Sequence, residues 1–301
     1  MKRPVAAITI LVTFAASAQP DLGTPIARGV KPLASLPYPV ATTIAPLPSP
    51  RYVDGATVVG PDGIVRLAKV ADPGGSGQQV YLHRVVRTDA RTDGTRVGVS
   101  VRSEKVWIDQ GKYLKPGGEY WLAFAFRPKA GEWPTQQAGL TDDGFLVFQT
   151  HSESNGDTQP PIALDMDTGT GVMRWRTSWG TGPQATTQTG VTIHNKQPLP
   201  PVDVWRKYVV HIKPGWLASQ EPLTEVWESI GSGPFVKLFS STAPNDYNWD
   251  TGTYPRVGIY KWAGTNWPAT TPSIACYLST LYMGQGANLF EAAAAAVAAF
   301  R

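Results

Sequence analysis

The chain holds one cysteine in 301 residues, Cys276. No intramolecular disulfide can form, so the fold must be held by its core. Histidine is also scarce, at four residues, and no His/Cys/Asp/Glu cluster has the spacing of metal ligands, which argues against a metal-dependent enzyme. No apolar run is long enough to cross a bilayer. Helix-length amphipathic patterns are absent from the middle of the chain, as is any repeat of solenoid or propeller period. Charge of one sign is missing too. The 27 basic and 23 acidic residues nearly balance, which gives no argument for the concentrated basic surface of a nucleic-acid binder. Neither nucleic acid nor a membrane is an expected partner, and a monomer is expected.

The ends of the chain differ from its middle. Met1, Lys2 and Arg3 precede a short apolar run over residues 5–16, and Ala16-Ser17-Ala18 has the small-x-small form of a cleavage site. This is the layout of a secretory signal peptide over residues 1–18, and it predicts a secreted or periplasmic protein maturing near Gln19. Residues 19–50 are rich in proline, which removes ladder donors and fixes φ, and read as a linker or wrapped arm. Residues 287–301 contain a poly-alanine run of high helix propensity and are expected to be a C-terminal helix or a tail. Between them, residues 51–286 hold short segments rich in Val, Ile, Tyr, Phe, Trp and Thr, bounded by Gly, Pro, Asn and Asp. Residues 120–126, 144–151, 208–213, 254–262 and 274–283 are examples. Such runs are strands, and their number predicts an all-β protein, a jelly-roll β-sandwich with a concave polar groove.

Residues i and i+2 of a strand share a face. In residues 97–104, Val97, Val99 and Val101 line one face, while Ser100, Arg102 and Glu104 line the other. In residues 145–151, Leu146 and Phe148 oppose Gln149 and His151. In residues 254–262, Val257 and Ile259 oppose Tyr254, Arg256, Gly258, Tyr260 and Trp262. Gly258 is expected to leave a gap between Arg256 and Tyr260 where a ligand can lie. Any half-buried antiparallel sheet alternates in this way, but solvated faces carry mostly Lys, Glu and Thr. Here the groups are Arg, Gln, His and Tyr.

Arg102-Ser103-Glu104, Gln149-Thr150-His151 and Tyr254-Pro255-Arg256-Val257-Gly258-Ile259-Tyr260 resemble the signature strands of jelly-roll polysaccharide lyases. In the alginate lyases of that kind these read R-[ST]-E-L-R, Q-[IV]-H and Y-F-K-A-G-x-Y, in the same order. The wider pattern, with residues 120–124, 204–213 and 225–227, is similar to the heparin lyase I and glucuronan lyase group. Two departures stand out: Lys105-Val106-Trp107 follows Glu104 in place of the second arginine, and Arg256 stands where the signature has lysine.

The resemblance implies cleavage of an acidic polysaccharide, of glucuronan, alginate or glycosaminoglycan type, by β-elimination. A base removes the proton at C5 and the glycosidic oxygen leaves C4. The ionised carboxylate beside C5 must be neutralised first, which calls for preplaced donors, with a base and an acid in hydrogen-bond reach. Arg102, Gln149, His151 and Tyr260 are the implied catalytic residues. The planar fork of Arg102 suits a carboxylate, and Gln149 can donate its amide hydrogens to the same group. His151 can serve as base or as neutraliser. Tyr260 matches the tyrosine that protonates the leaving oxygen and can also take the C5 proton. Glu104, Arg174, Arg176, Lys207, Tyr254 and Arg256 are candidates for substrate binding, with a cross-sheet ion pair to Arg102 the alternative for Glu104 and a packing role the alternative for Tyr254. No cofactor is required; some relatives use calcium, for which Asp142 with Asp143, or Asp165 with Asp167, would supply oxygens.

Two other functions fit the same fold. A glycoside hydrolase needs two carboxylates flanking the bond, and the strand motif of two glutamates bracketing an aspartate is absent. A non-catalytic lectin-like module would use the same face but has no need for the Arg, Gln-x-His and Tyr set.

Overall fold

The computed structural model describes residues 57–60, 62–86, 100–106, 114–136, 144–152, 159–182, 188–248, 252–262 and 272–301, together with the backbone of residues 45 and 46. The expected signal peptide and most of the Pro-rich arm lie outside these residues. The strands are β1 (Ala45–Pro46), β2 (Val58–Val59), β3 (Val65–Ala71), β4 (Gln79–Val86), β5 (Ser100–Val106), β6 (Tyr120–Pro128), β7 (Gly144–Ser152), β8 (Ile162–Asp167), β9 (Val172–Trp179), β10 (Gly190–Pro198), β11 (Arg206–Lys213), β12 (Leu223–Ile230), β13 (Val236–Ser241), β14 (Thr253–Trp262), β15 (Ser273–Leu278) and β16 (Tyr282–Gln285). One α-helix, α1 (Phe290–Val297), follows.

The strands form two antiparallel sheets. The larger runs β13-β12-β11-β6-β15-β4-β3-β2, with β16 also bonded to β6 and β1 beyond it. The smaller runs β10-β9-β8-β7-β14-β5. Their inner faces share one core, to which β6 gives Tyr120, Leu122, Phe124 and Phe126, β7 gives Phe145 and Phe148, and β9 gives Met173 and Trp175. This is the predicted sandwich, with aromatic side chains filling the space between the sheets.

The unbroken apolar run of β6 has a physical reason. Its even-numbered residues enter that core, while Trp121, Ala123 and Ala125 face outward and join a second cluster with Trp205, Val209, Leu289, Ala293, Val297 and Phe300. The alanine-rich segment thus forms a helix that covers the outer face of the larger sheet, and small residues on both sides allow close approach. The segment 274–283, expected as one strand, is two. At Ser279 the edge of the ladder breaks: the Ala125 amide donates to Ser279 Oγ at 2.8 Å, and the Ser279 amide donates to the Ala125 carbonyl at 2.9 Å. β15 then pairs with β4 and the end of β6, and β16 with the start of β6.

Candidate active site

The strand register of the smaller sheet decides which side chains share its outer face. Val257 pairs with Phe148 and Phe148 with Leu164, all in the core. Their neighbours therefore point outward: Tyr254 opposite His151, Arg256 opposite Gln149, Gln149 opposite Ala163, and Ala163 opposite Arg176. On the other flank of β14, Gly258 pairs with Glu104 and Tyr260 with Arg102. Tyr260 also pairs with Leu146, and Leu146 with Asp165. One face thus carries Arg102 and Glu104 from β5, Tyr254, Arg256 and Tyr260 from β14, Gln149 and His151 from β7, and Arg174 and Arg176 from β9. The side chain of Arg102 lies outside the described residues; its position on this face comes from the backbone register.

Five of these side chains form one line of hydrogen bonds and an ion pair. Gln149 Nε2 donates to Glu104 Oε1 at 2.5 Å. The other carboxylate oxygen, Glu104 Oε2, lies 3.6 Å from Arg256 Nη1. Arg256 Nη2 donates to the Tyr254 phenol oxygen, and that hydroxyl meets His151 Nδ1 at 3.2 Å. The carboxylate only accepts, so the amide of Gln149 must turn its nitrogen toward it. Burial is nearly complete: Gln149 is 1 %, Tyr254 3 %, Glu104 6 % and Arg256 8 % exposed. His151 and Tyr260 are half-buried. Among the described residues, Gln149 Oε1 and Arg256 Nε are buried with no hydrogen-bond partner. Such groups are costly to leave unmet, and a ligand or ordered water can satisfy them.

The strand β5 is itself pinned from behind. The buried His83 of β4 bonds through Nδ1 to the carbonyl of Ser103 at 2.7 Å, so that nitrogen carries a proton. The carbonyl has no hydrogen to give.

The arginines of β9 are arranged differently. Arg174 Nε lies 3.2 Å and Arg176 Nε 3.3 Å from Asp165 Oδ2, and Arg174 Nη1 lies 3.3 Å from Asp167 Oδ2. Burial pushes the Asp165 carboxyl above the usual carboxylate range, opposed by the charges of Arg174 and Arg176. The hairpin β8–β9 explains the grouping, because Asp165 pairs directly with Arg174 across it. A cation bound by Asp165 and Asp167 would face two guanidinium groups, so that expected calcium site is not supported here; Asp142 and Asp143 lie outside the described residues.

Four expectations about single residues change. Lys207 is not on this face. It lies on β11 next to the core residue Tyr208, points to the outer face of the larger sheet, and sits 6.0 Å from the Phe235 ring, on the far side of the sandwich. Alternation along β11 dictates this placement. Glu104 has both oxygens turned to protein groups, so it holds Gln149 and Arg256 in place where contact with substrate was expected. Gly258 leaves no gap. A Cβ there would lie 2.1 Å from the Ser103 carbonyl oxygen and 2.5 Å from Glu104 Cα, and its φ is +145°. The glycine is needed by the close approach of β5. The contribution of Tyr254, expected mainly as a substrate contact or a packing aromatic, is the link between Arg256 and His151, which strand alternation cannot reveal.

The polysaccharide lyase family profile matches residues 64–281, and the chain belongs to that family; it is a polysaccharide lyase. The fold is similar to that of an endo-β-1,4-glucuronan lyase from the fungus Trichoderma reesei, with a TM-score of 0.57 at 16 % identity over 81 % of this chain and 95 % of that one. An alginate lyase from Pseudomonas aeruginosa matches with a TM-score of 0.45 at 15 % identity, over 72 % of this chain and 86 % of the other. No curated protein matches the sequence.

Proposed function

We propose that the chain is an exported enzyme that cleaves a uronic-acid-containing polysaccharide by β-elimination at the outer face of the smaller sheet. The observation that carries this reading is the continuous line Gln149, Glu104, Arg256, Tyr254 and His151, lying on one face with Tyr260. The relatives of similar fold act on glucuronan and on alginate, both acidic polymers. Export rests on the signal-peptide layout of residues 1–18.

The parts match the demands of the reaction. Arg102 and the free amide hydrogen of Gln149 neutralise the uronate carboxylate, which makes C5 acidic enough to lose its proton. His151 and Tyr260, half-buried on the same face, are the groups that can hold and move protons at C5 and at the leaving oxygen. As the C5–H bond breaks its electron pair forms the C4=C5 double bond, and the C4–O bond breaks with its pair leaving on oxygen, which takes a proton. Water is not consumed. Arg174 and Arg176, held by Asp165 and Asp167, meet the neighbouring sugar with fixed geometry. The chemistry needs no cofactor.

Absorbance in the ultraviolet band of unsaturated uronides, recorded with glucuronan, alginate, heparin-type and pectic polymers, tests the reading. A rise on one of them that is lost in Tyr260→Phe and His151→Ala is the expected result. No rise on any polymer, with binding retained to one, would replace the lyase site by a lectin-like surface.

A further inference from the structure

We infer that Tyr254 is a positioning residue that fixes the tautomer of His151, so that neutral His151 carries its proton on Nε2 and acts as a hydrogen-bond donor. The inference rests on the proposed site, and it assigns a role to a residue that the sequence offered only as a substrate contact or a packing aromatic.

From Arg256 the contacts run through Tyr254 to His151. Arg256 has donors only, so at its contact with Tyr254 the phenol oxygen accepts. The same guanidinium is held from the other side by Glu104, which itself accepts from Gln149. The Tyr254 hydroxyl keeps one proton to give, and His151 Nδ1 lies 3.2 Å from it. A nitrogen that accepts must carry a lone pair, so the ring proton of neutral His151 resides on Nε2. The phenol is 3 % exposed, its ring lies 5.5 Å from the imidazole, and the guanidinium carbon of Arg256 stands 4.9 Å from its centroid. Solvent therefore has little access to compete for the phenol proton.

The consequence is a division of labour. An Nε2–H suits the carboxylate of a uronate, and the same nitrogen cannot accept the C5 proton while it is protonated. Proton removal then falls to another group of the face, where Tyr260 supplies a phenol. Tyr254 acts through His151 and touches neither reacting atom.

The test is nuclear magnetic resonance of protein labelled with nitrogen-15 in histidine, at a pH about two units above the ordinary imidazole pKa of about 6.5. His151→Ala assigns the signal. The wild type is expected to show the Nε2–H tautomer at His151. Tyr254→Phe keeps the ring and removes the hydroxyl; it is expected to shift His151 toward a mixture of tautomers and to lower kcat about tenfold with little change in KM. Arg256→Lys, which keeps a donor, is expected to retain the wild-type tautomer. An Nδ1–H signal in the wild type, or an unchanged tautomer in Tyr254→Phe, overturns the inference. The wild-type spectrum decides even where a variant fails to fold. The spectrum also separates the two proposals: an Nε2–H tautomer in a protein that cleaves no uronan removes the proposed function and leaves the role of Tyr254 standing.

Discussion

At Glu104 and Arg256 two charges are buried together, 6 % and 8 % exposed, and each is tolerable only because the other is there. Removing the carboxylate in Glu104→Ala strands a guanidinium in the sheet face and releases Gln149. The expected loss is about 3 kcal/mol of stability in urea unfolding, with activity lost as well. A second carboxylate reports on acid. Burial alone would raise the Glu132 carboxyl, but hydrogen bonds from Arg84, Lys129 and Ser273 outweigh it and bring it from 4.5 down to about 2. A carboxyl lowered on folding adds stability that is complete above about pH 4.5 and disappears as the pH falls toward about 2. Glu132→Gln lacks that contribution, so the wild type and the variant should converge in Tm as the pH is lowered through that window and diverge above it. At this scale the sequence disclosed which residues of one strand share a face, since alternation groups Gln149 with His151 and Tyr254 with Arg256. It did not disclose whom each one holds. Glu104 and Tyr254 were read as substrate contacts because hydrogen-bond direction depends on neighbouring strands far away in the chain.

Single elements behave as their two faces require. The strand β14 needs Gly258 because β5 crosses it at a distance that no Cβ allows. Gly258→Ala must push β5 away, and the expected outcome is a loss of about 2 kcal/mol or more together with loss of the line through Glu104, read by urea unfolding and by turnover. The helix α1 has the opposite task, covering Trp121, Trp205 and Val209 with Leu289, Ala293, Val297 and Phe300. A chain ending at residue 286 leaves that face bare. Its Tm should fall by at least about 5 °C, with binding of a hydrophobic dye. The strands at residues 120–126, 144–151, 208–213 and 254–262 were legible from their aromatic and β-branched runs. The division of residues 274–283 was not, because the break depends on Ser279 meeting Ala125 across the sheet. Lys207 was misplaced for a related reason: its alternation was readable, but that β11 lies in the larger sheet, away from the site, depends on strand pairing.

Across the whole molecule the two outer faces have different chemistry. That of the larger sheet has an apolar patch covered by α1 and, beside it, Lys207 and the ion-paired His211, Glu225 and Lys237. That of the smaller sheet carries the line from Gln149 to His151 and, in the same strip, Arg174 and Arg176 with Asp165 and Asp167. The all-β class and the sandwich were legible from strand spacing, and the family resemblance gave the site its residues. The charge balance of the strip was not legible, because Asp165 and Asp167 were read apart from the arginines of the next strand. The central claim is that this strip breaks its polymer by elimination. Mass analysis of the products formed in water enriched in heavy oxygen tests it most directly. The account predicts products that carry an unsaturated end one water lighter than a hydrolysis product, with no label taken up. Saturated ends that carry the label would mean hydrolysis and would contradict it.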